Sequence, residues 1–163
     1  MTGRLHTDDR AVSVAITHVL TIGITAILIS GLMIGAGSML DSEKERGAKT
    51  SLETTGERLS GEISSVDRLA AGEQGNVSLR VDHPRQVSGS TYTIEFDEDG
   101  DCDPLLDETD LCLTLTAHSE DANVQVPVVS ETAIDTDASV RGGPITVAYS
   151  NDSKEITLES GHR

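Results

Sequence analysis

Residues 11–40 read AVSVAITHVLTIGITAILISGLMIGAGSML, and this stretch decides the fold of the 163-residue chain. It contains no Asp, Glu, Lys or Arg, and thirteen of its residues are Val, Ile or Leu. A bilayer core about 30 Å thick needs roughly 20 apolar residues of helix, whereas residues 11–40 would form a helix about 45 Å long. The apolar region of a removable secretory signal is only about 7–15 residues long. The stretch therefore predicts a transmembrane helix that must tilt, protrude or pack against protein.

A second helical pattern follows the apolar stretch. Small and apolar residues recur with a period near 3.5 and define a seam, while charged residues including Glu53, Glu57, Arg58, Glu62 and Asp67 occupy the other faces. The seam consists of Leu52, Gly56, Leu59, Ile63, Val66 and Ala70. A coiled coil is the alternative, but a glycine within so short a seam would make a poor one. We interpret the seam as a docking face, on a helix that ends at Ala71-Gly72.

From Asn76 onward the period of the pattern changes to two. Six short runs alternate apolar and polar residues, separated by Gly, Pro, Asp and Asn, as is typical of antiparallel strands with one buried face. Their apolar residues are Val77, Leu79 and Val81; Tyr92, Ile94 and Phe96; Leu111, Leu113 and Leu115; Val124, Val126 and Val128; Ile145, Val147 and Tyr149; Ile156 and Leu158. The predicted fold is α+β. A transmembrane helix (11–40) continues into an amphipathic helix (41–71) packed on a small antiparallel β-sheet or sandwich (72–163).

The charge of the chain is strongly unbalanced, with 28 Asp and Glu against 12 Lys and Arg and a net charge of −16. Such a surface repels nucleic-acid phosphates and anionic lipid head groups, so no nucleic-acid partner is expected. An acidic composition with few aromatic residues resembles that of proteins from extreme halophiles, and the alternative is disorder. No nucleophile elbow, phosphate-binding glycine loop or metal-ligand cluster is present, so we expect neither an enzyme nor a cofactor.

Two features after the apolar stretch suit an extracellular location. Cys102 and Cys112 are spaced for a disulfide that closes a short loop, and Asn76 and Asn151 each begin an Asn-X-Ser sequon for N-glycosylation. The count of cations favours the opposite orientation, because Arg4 and Arg10 precede the stretch while four cations follow it closely. Those four are Lys44, Arg46, Lys49 and Arg58.

Two further motifs each have a functional and a plain interpretation. Gly31 and Gly35 form a G-x-x-x-G pair that would let another helix approach closely, although glycine is common in membrane helices. The acidic run that begins at Asp97 has carboxylates at positions 1, 3, 5 and 12 of an EF-hand loop. Its sixth position, however, is Cys102 instead of glycine. We therefore interpret the run as a solvated acidic loop without a metal.

The N-terminus resembles that of archaeal type IV pilin-like proteins, particularly haloarchaeal ones. The resemblance rests on Asp8-Asp9-Arg10 followed directly by Ala11-Val12-Ser13-Val14-Ala15-Ile16. It implies a leader (residues 1–10) that a prepilin peptidase removes between Arg10 and Ala11. It also implies a membrane helix that bundles with those of other pilin-like subunits, and a β-rich head outside the cell.

Two positions depart from the family pattern. Many archaeal pilins have Pro where this chain has Val14, and the acidic residue at the fifth mature position of bacterial pilins would fall at Ala15. A minor subunit or assembly component of a pilus-like filament is therefore expected. The alternative function is an uncleaved, membrane-anchored extracellular binding module that does not assemble.

Overall fold

The computed structural model describes residues 6–72, 75–98, 102, 111–119 and 122–161. It contains one helix and eight strands in the order α1 (His6–Gly72), β1 (Val77–Asp82), β2 (Tyr92–Glu98), β3 (Leu111–Ala117), β4 (Ala122–Pro127), β5 (Ala133–Ile134), β6 (Ser139–Arg141), β7 (Pro144–Ser150) and β8 (Glu155–Ser160). The chain forms two compact units, Met1–Ser42 and Glu43–Arg163, and α1 contributes to both. We call the second unit the head.

The strands of the head form two four-stranded sheets. The first sheet has the order β1-β7-β8-β5 and the second has the order β4-β3-β2-β6. All pairs are antiparallel except β5 with β8, which is parallel. The fold is therefore α+β, with one long helix that is apolar in its N-terminal part and two small, mainly antiparallel sheets.

A single apolar core joins the C-terminal part of α1 to both sheets. Every residue of the seam is buried, and Leu52, Leu59 and Ile63 have no exposed surface at all. They share a cluster with residues of the first sheet such as Ile145 and of the second such as Leu115. The seam thus packs on the head's own strands, which is the docking role that its period indicates.

The prediction of six strands with one buried face is incomplete. The structure adds β5 and β6 and divides the strands between two sheets. These two strands have two and three residues, which is too short for an alternating pattern to be recognised in a sequence. The runs that do alternate place their apolar residues in the core, fully or in part.

Candidate functional site

The N-terminal part of α1 is an exposed apolar surface. Every Val, Ile, Leu and Met from Val14 to Leu40 is more than half exposed, with fractions between 52% and 77%. Within the described residues, α1 is the one helix long and apolar enough to cross a membrane. Its hydroxyl groups are satisfied internally, since Thr17, Thr21 and Thr25 each donate to the carbonyl oxygen four residues earlier at 2.8–2.9 Å. Polar side chains bonded in this way are tolerated where water is absent.

The glycine pair of this helix lies open. A Cβ atom built on Gly31 or Gly35 would meet no atom within 4 Å. The same is true of Gly37, six residues beyond Gly31. Arg10 and Ala11, which flank the predicted cleavage point, lie in the first turns of α1, which begins at His6.

A buried polar contact connects α1 to the segment between β1 and β2. Nε2 of His83 lies 2.8 Å from Oε2 of Glu62, and Nε of Arg58 donates to the other oxygen of Glu62 at 3.1 Å. The His83 side chain is completely buried, and its Nδ1 has no hydrogen-bond partner within the described part of the chain. Sequence reasoning found no partner for His83, because 21 residues separate it from Glu62 and no local pattern links them.

A second polar contact connects Asp67 on α1 to the loop between β4 and β5. Asp67 is buried, and its two oxygens accept hydrogen bonds from the backbone N–H groups of Glu131 (3.1 Å) and Thr132 (2.9 Å). Burial opposes the charged form, but the hydrogen bonds from Thr132, Glu131 and Ser130 outweigh it and lower the pKa of Asp67. The carboxylate therefore holds the loop between β4 and β5 against the helix.

The two cysteines form a disulfide in the structure. The sulfur atoms of Cys102 and Cys112 are 2.09 Å apart, with 6.1 Å between the Cα atoms. Cys112 is the second residue of β3 and is buried. The bridge therefore ties the connection between β2 and β3 to the second sheet.

The two sequons, 75 residues apart in the sequence, meet at one end of the first sheet. Oδ1 of Asn76 accepts a hydrogen bond of 2.9 Å from the backbone N–H of Asn151. Asn151 in turn accepts a hydrogen bond from Nζ of Lys154 at 2.6 Å. Asn76 is exposed and Asn151 is half-buried. Carbohydrate at both sites would therefore crowd the same corner of the head.

The acidic run from Asp97 to Glu108 lies mostly outside the described residues. Asp97 is described, and its carboxylate accepts a hydrogen bond from the Thr114 hydroxyl on the neighbouring strand. Among the described residues, no three His, Cys, Asp or Glu side chains come together in a group that could hold a metal ion.

Comparison with protein families gives a match that covers almost the whole chain. Residues 7–160 match a family of unknown function, DUF7266. The chain belongs to this family. Comparison with curated proteins and with solved structures gave no match. The match covers both the apolar part of α1 and the head, and the family has no assigned function.

Proposed function

We propose that this DUF7266 protein is a pilin-like, single-pass membrane protein, a minor subunit or assembly component of a type IV pilus-like surface filament. The observation that carries the proposal is that the two parts of α1 differ in the exposure of their apolar residues. Its apolar residues are exposed from Val14 to Leu40, whereas those of the seam, from Leu52 to Ala70, are buried in the head. One helix thus serves as both an anchor and a structural part of the domain it carries.

The length of the exposed surface supports association with other helices. Residues 11–40 would extend about 45 Å as a helix, which exceeds a bilayer core of about 30 Å by roughly 15 Å. Apolar side chains beyond the lipid need protein around them. The open face at Gly31 and Gly35 lets a neighbouring backbone come close there. A simple anchor would require neither feature.

The features of the head support an extracellular location. Disulfides persist in oxidising surroundings outside the cytoplasm, and the structure contains one between Cys102 and Cys112. To test the orientation, intact cells carrying Asp137→Cys, at an exposed turn of the head, are treated with an impermeant thiol reagent. We expect labelling without lysis. Labelling only after lysis would reverse the orientation.

Cleavage of the leader tests the pilin-like assignment against the alternative of an uncleaved binding module. We expect the protein isolated from its native host to begin at Ala11, and the protein from a strain without prepilin peptidase to retain residues 1–10. N-terminal sequencing reads both results. A leader that remains intact in a host with an active peptidase would overturn the pilin-like assignment.

Helix association is tested with a matched pair of substitutions. Gly35→Leu fills the G-x-x-x-G face, whereas Gly37→Leu adds the same side chain on another face, about 120° around the helix from Gly31 and about 160° from Gly35 at ~100° per residue. Crosslinking in the native membrane should show that Gly35→Leu loses contacts with pilin-like partners and that Gly37→Leu keeps them. Equal crosslinking of the two variants would contradict the assigned face.

A further inference from the structure

The head contains a groove whose charge is opposite to that of the rest of the molecule. Its lining includes the side chains of Arg85, His118 and Arg141, and its volume is about 670 Å³. The remaining lining residues are Gln86, Thr91, Tyr92 and Gly142. The chain carries 28 acidic residues, yet no described carboxylate lies within ion-pairing distance of either arginine. Two guanidinium groups that line one groove repel each other, and an anion bound between them would offset that repulsion.

Strand pairing brings the basic groups together from distant parts of the sequence. Arg141 on β6 is the register partner of Thr93 on β2. Thr93 Oγ1 lies 2.7 Å from Nε2 of His118, and the His118 backbone N–H donates to the carbonyl oxygen of Thr91 at 2.9 Å. The start of β2 is therefore flanked by Arg141 on one side and His118 on the other.

The segment that carries Arg85 is held in place at both ends. The backbone N–H of His83 donates to the carbonyl oxygen of Gly143 at 3.2 Å, and Val87 and Ser90 exchange two backbone hydrogen bonds of 2.8 Å. Between these points, the hydroxyl of Tyr92 donates to the carbonyl oxygen of Pro84 at 2.7 Å. Burial raises the pKa of Tyr92 to about 12, so this hydroxyl remains a donor even above the ordinary tyrosine pKa of about 10.

Glycine at position 142 is required for this arrangement. A Cβ atom there would lie 2.3 Å from the ring of Tyr92, so the turn between β6 and β7 can cross the ring only without a side chain. The following residue, Gly143, has φ +133°, a conformation that other residues rarely adopt. The backbone that directly follows Arg141 is therefore built around the ring of Tyr92, which lines the groove.

We propose that this groove binds the oxyanion of a small organic molecule, namely a carboxylate, phosphate or sulfate group carried on a polar body. The planar fork of arginine matches the geometry of these groups and can bond them with two parallel hydrogen bonds. The volume falls within the range of about 300–1,000 Å³ that is typical of small-molecule sites and leaves room beyond the anion itself. The amide of Gln86 and the hydroxyl of Thr91 offer hydrogen bonds to the polar body. The groove is separate from α1, so this binding goes beyond the proposed filament role.

The test is a binding titration with the full-length protein in a nonionic detergent, using glucuronate, glucose 6-phosphate, glucose and inorganic phosphate as probes. We expect the two anionic sugars to bind and glucose to bind far more weakly. Binding should weaken between about 0.1 M and about 1 M salt, where the Debye length falls from about 10 Å to about 3 Å. Comparable binding of glucose and glucuronate would overturn the proposal. If inorganic phosphate binds as tightly as glucose 6-phosphate, the groove recognises the oxyanion alone, and the part of the proposal that concerns a polar body is wrong.

Three substitutions locate the site. Arg85→Gln and Arg141→Gln keep most of the side-chain stem, and each should weaken binding by on the order of tenfold to a hundredfold. Arg68→Gln is the matched control, because Arg68 is exposed on α1 outside the groove, and it should bind like the wild type. Unfolding midpoints establish that the variants are folded. Unchanged binding in both groove variants, or an equal loss in the control, would place the anion elsewhere.

One more variant tests whether the chain's own acidic residues close the groove. Glu120 and Asp121 follow His118 closely in the sequence and lie outside the described residues. The double variant Glu120→Gln/Asp121→Asn should bind the anionic sugars at least as tightly as the wild type. Binding seen only in this double variant would mean that the chain's own carboxylates neutralise the arginines of the groove, and would overturn the proposal.

Discussion

At Gly56, α1 packs closely against the second sheet. A Cβ atom there would lie 2.7 Å from Cγ2 of Val126 and 2.9 Å from Cδ1 of Leu115. Both neighbours are buried in the core, so neither methyl group can move without displacing others. The glycine that weakens the case for a coiled coil is therefore a contact point within the head.

We expect Gly56→Ala to destabilise the head by about 1–3 kcal/mol from overpacking, reduced by up to about 1 kcal/mol of gained helix propensity. Gly61→Ala is the matched control on the same helix, since no atom lies within 4 Å of its Cβ position. That variant should be stabilised by up to about 1 kcal/mol. Denaturant unfolding measures both variants. If Gly56→Ala and Gly61→Ala stabilise the head equally, the side chains of the second sheet can move to accommodate a methyl group at position 56.

Asp67 gives the head a dependence on pH at acidic values. Its pKa is lowered in the folded state, so its contribution to stability is present above the unfolded-state pKa of about 3.9 and is lost as the pH falls through the lower folded-state value. Asp67→Asn should therefore be less stable than the wild type at neutral pH, and the difference should shrink below about pH 4.

The measurement is the unfolding midpoint of both proteins across that pH range. Glu53→Gln, at an exposed position of the same helix, serves as the control for loss of one negative charge. A difference between Asp67→Asn and the wild type that stays constant with pH would assign the effect to shape instead of charge.

At the scale of elements, the sequence predicts those helices and strands whose apolar residues repeat with a regular period. The seam of α1 and the six alternating runs are visible because their repeats continue over several residues. The strands β5 and β6 escape detection because a pair or a triplet of residues has no period. Polar pairs such as Glu62 with His83 are not predicted from the sequence for another reason. Their members lie on different elements, and only the tertiary structure decides which elements meet.

The disulfide also acts at the scale of elements, because it fixes the connection between β2 and β3 to strand β3. Its two cysteines are ten residues apart, so in the chain-entropy account the bridge contributes about 2–3 kcal/mol. We expect the double variant Cys102→Ala/Cys112→Ala to lose about that amount in denaturant unfolding. Wild-type protein under reducing conditions should unfold like the variant. A variant as stable as the oxidised wild type would show that the loop is already ordered without the bridge.

At the scale of the whole molecule, charge dominates. Residues 1–40 contain two arginines and two aspartates and so contribute zero, which leaves the entire −16 on residues 41–163. That segment contains the complete apolar core, from Ala48 to Leu158, and can be studied by itself. Its carboxylates repel one another over a range that grows from about 3 Å at 1 M salt to about 30 Å at 0.01 M.

We therefore expect residues 41–163 to lose structure as salt is withdrawn, with circular dichroism as the measurement. A variant carrying Glu53→Lys and Glu57→Lys, at two exposed positions of α1, should keep its structure to lower salt, because it lowers the net negative charge by four. A signal that is flat from molar to millimolar salt would remove the halophilic interpretation.

The order of the first sheet has a consequence for the biogenesis of the protein. β7 pairs with both β1 and β8, so β1 gains its neighbour only when residues 144–150 have been synthesised. Until then the nascent chain lacks most of the first sheet, one of the two sheets that cover the seam of α1. Folding of the head therefore cannot be completed until the C-terminal strands β7 and β8 have been synthesised. A premature stop codon before Pro144 would remove β7 and β8 and leave the seam of α1 partly uncovered, a species prone to aggregation and proteolysis.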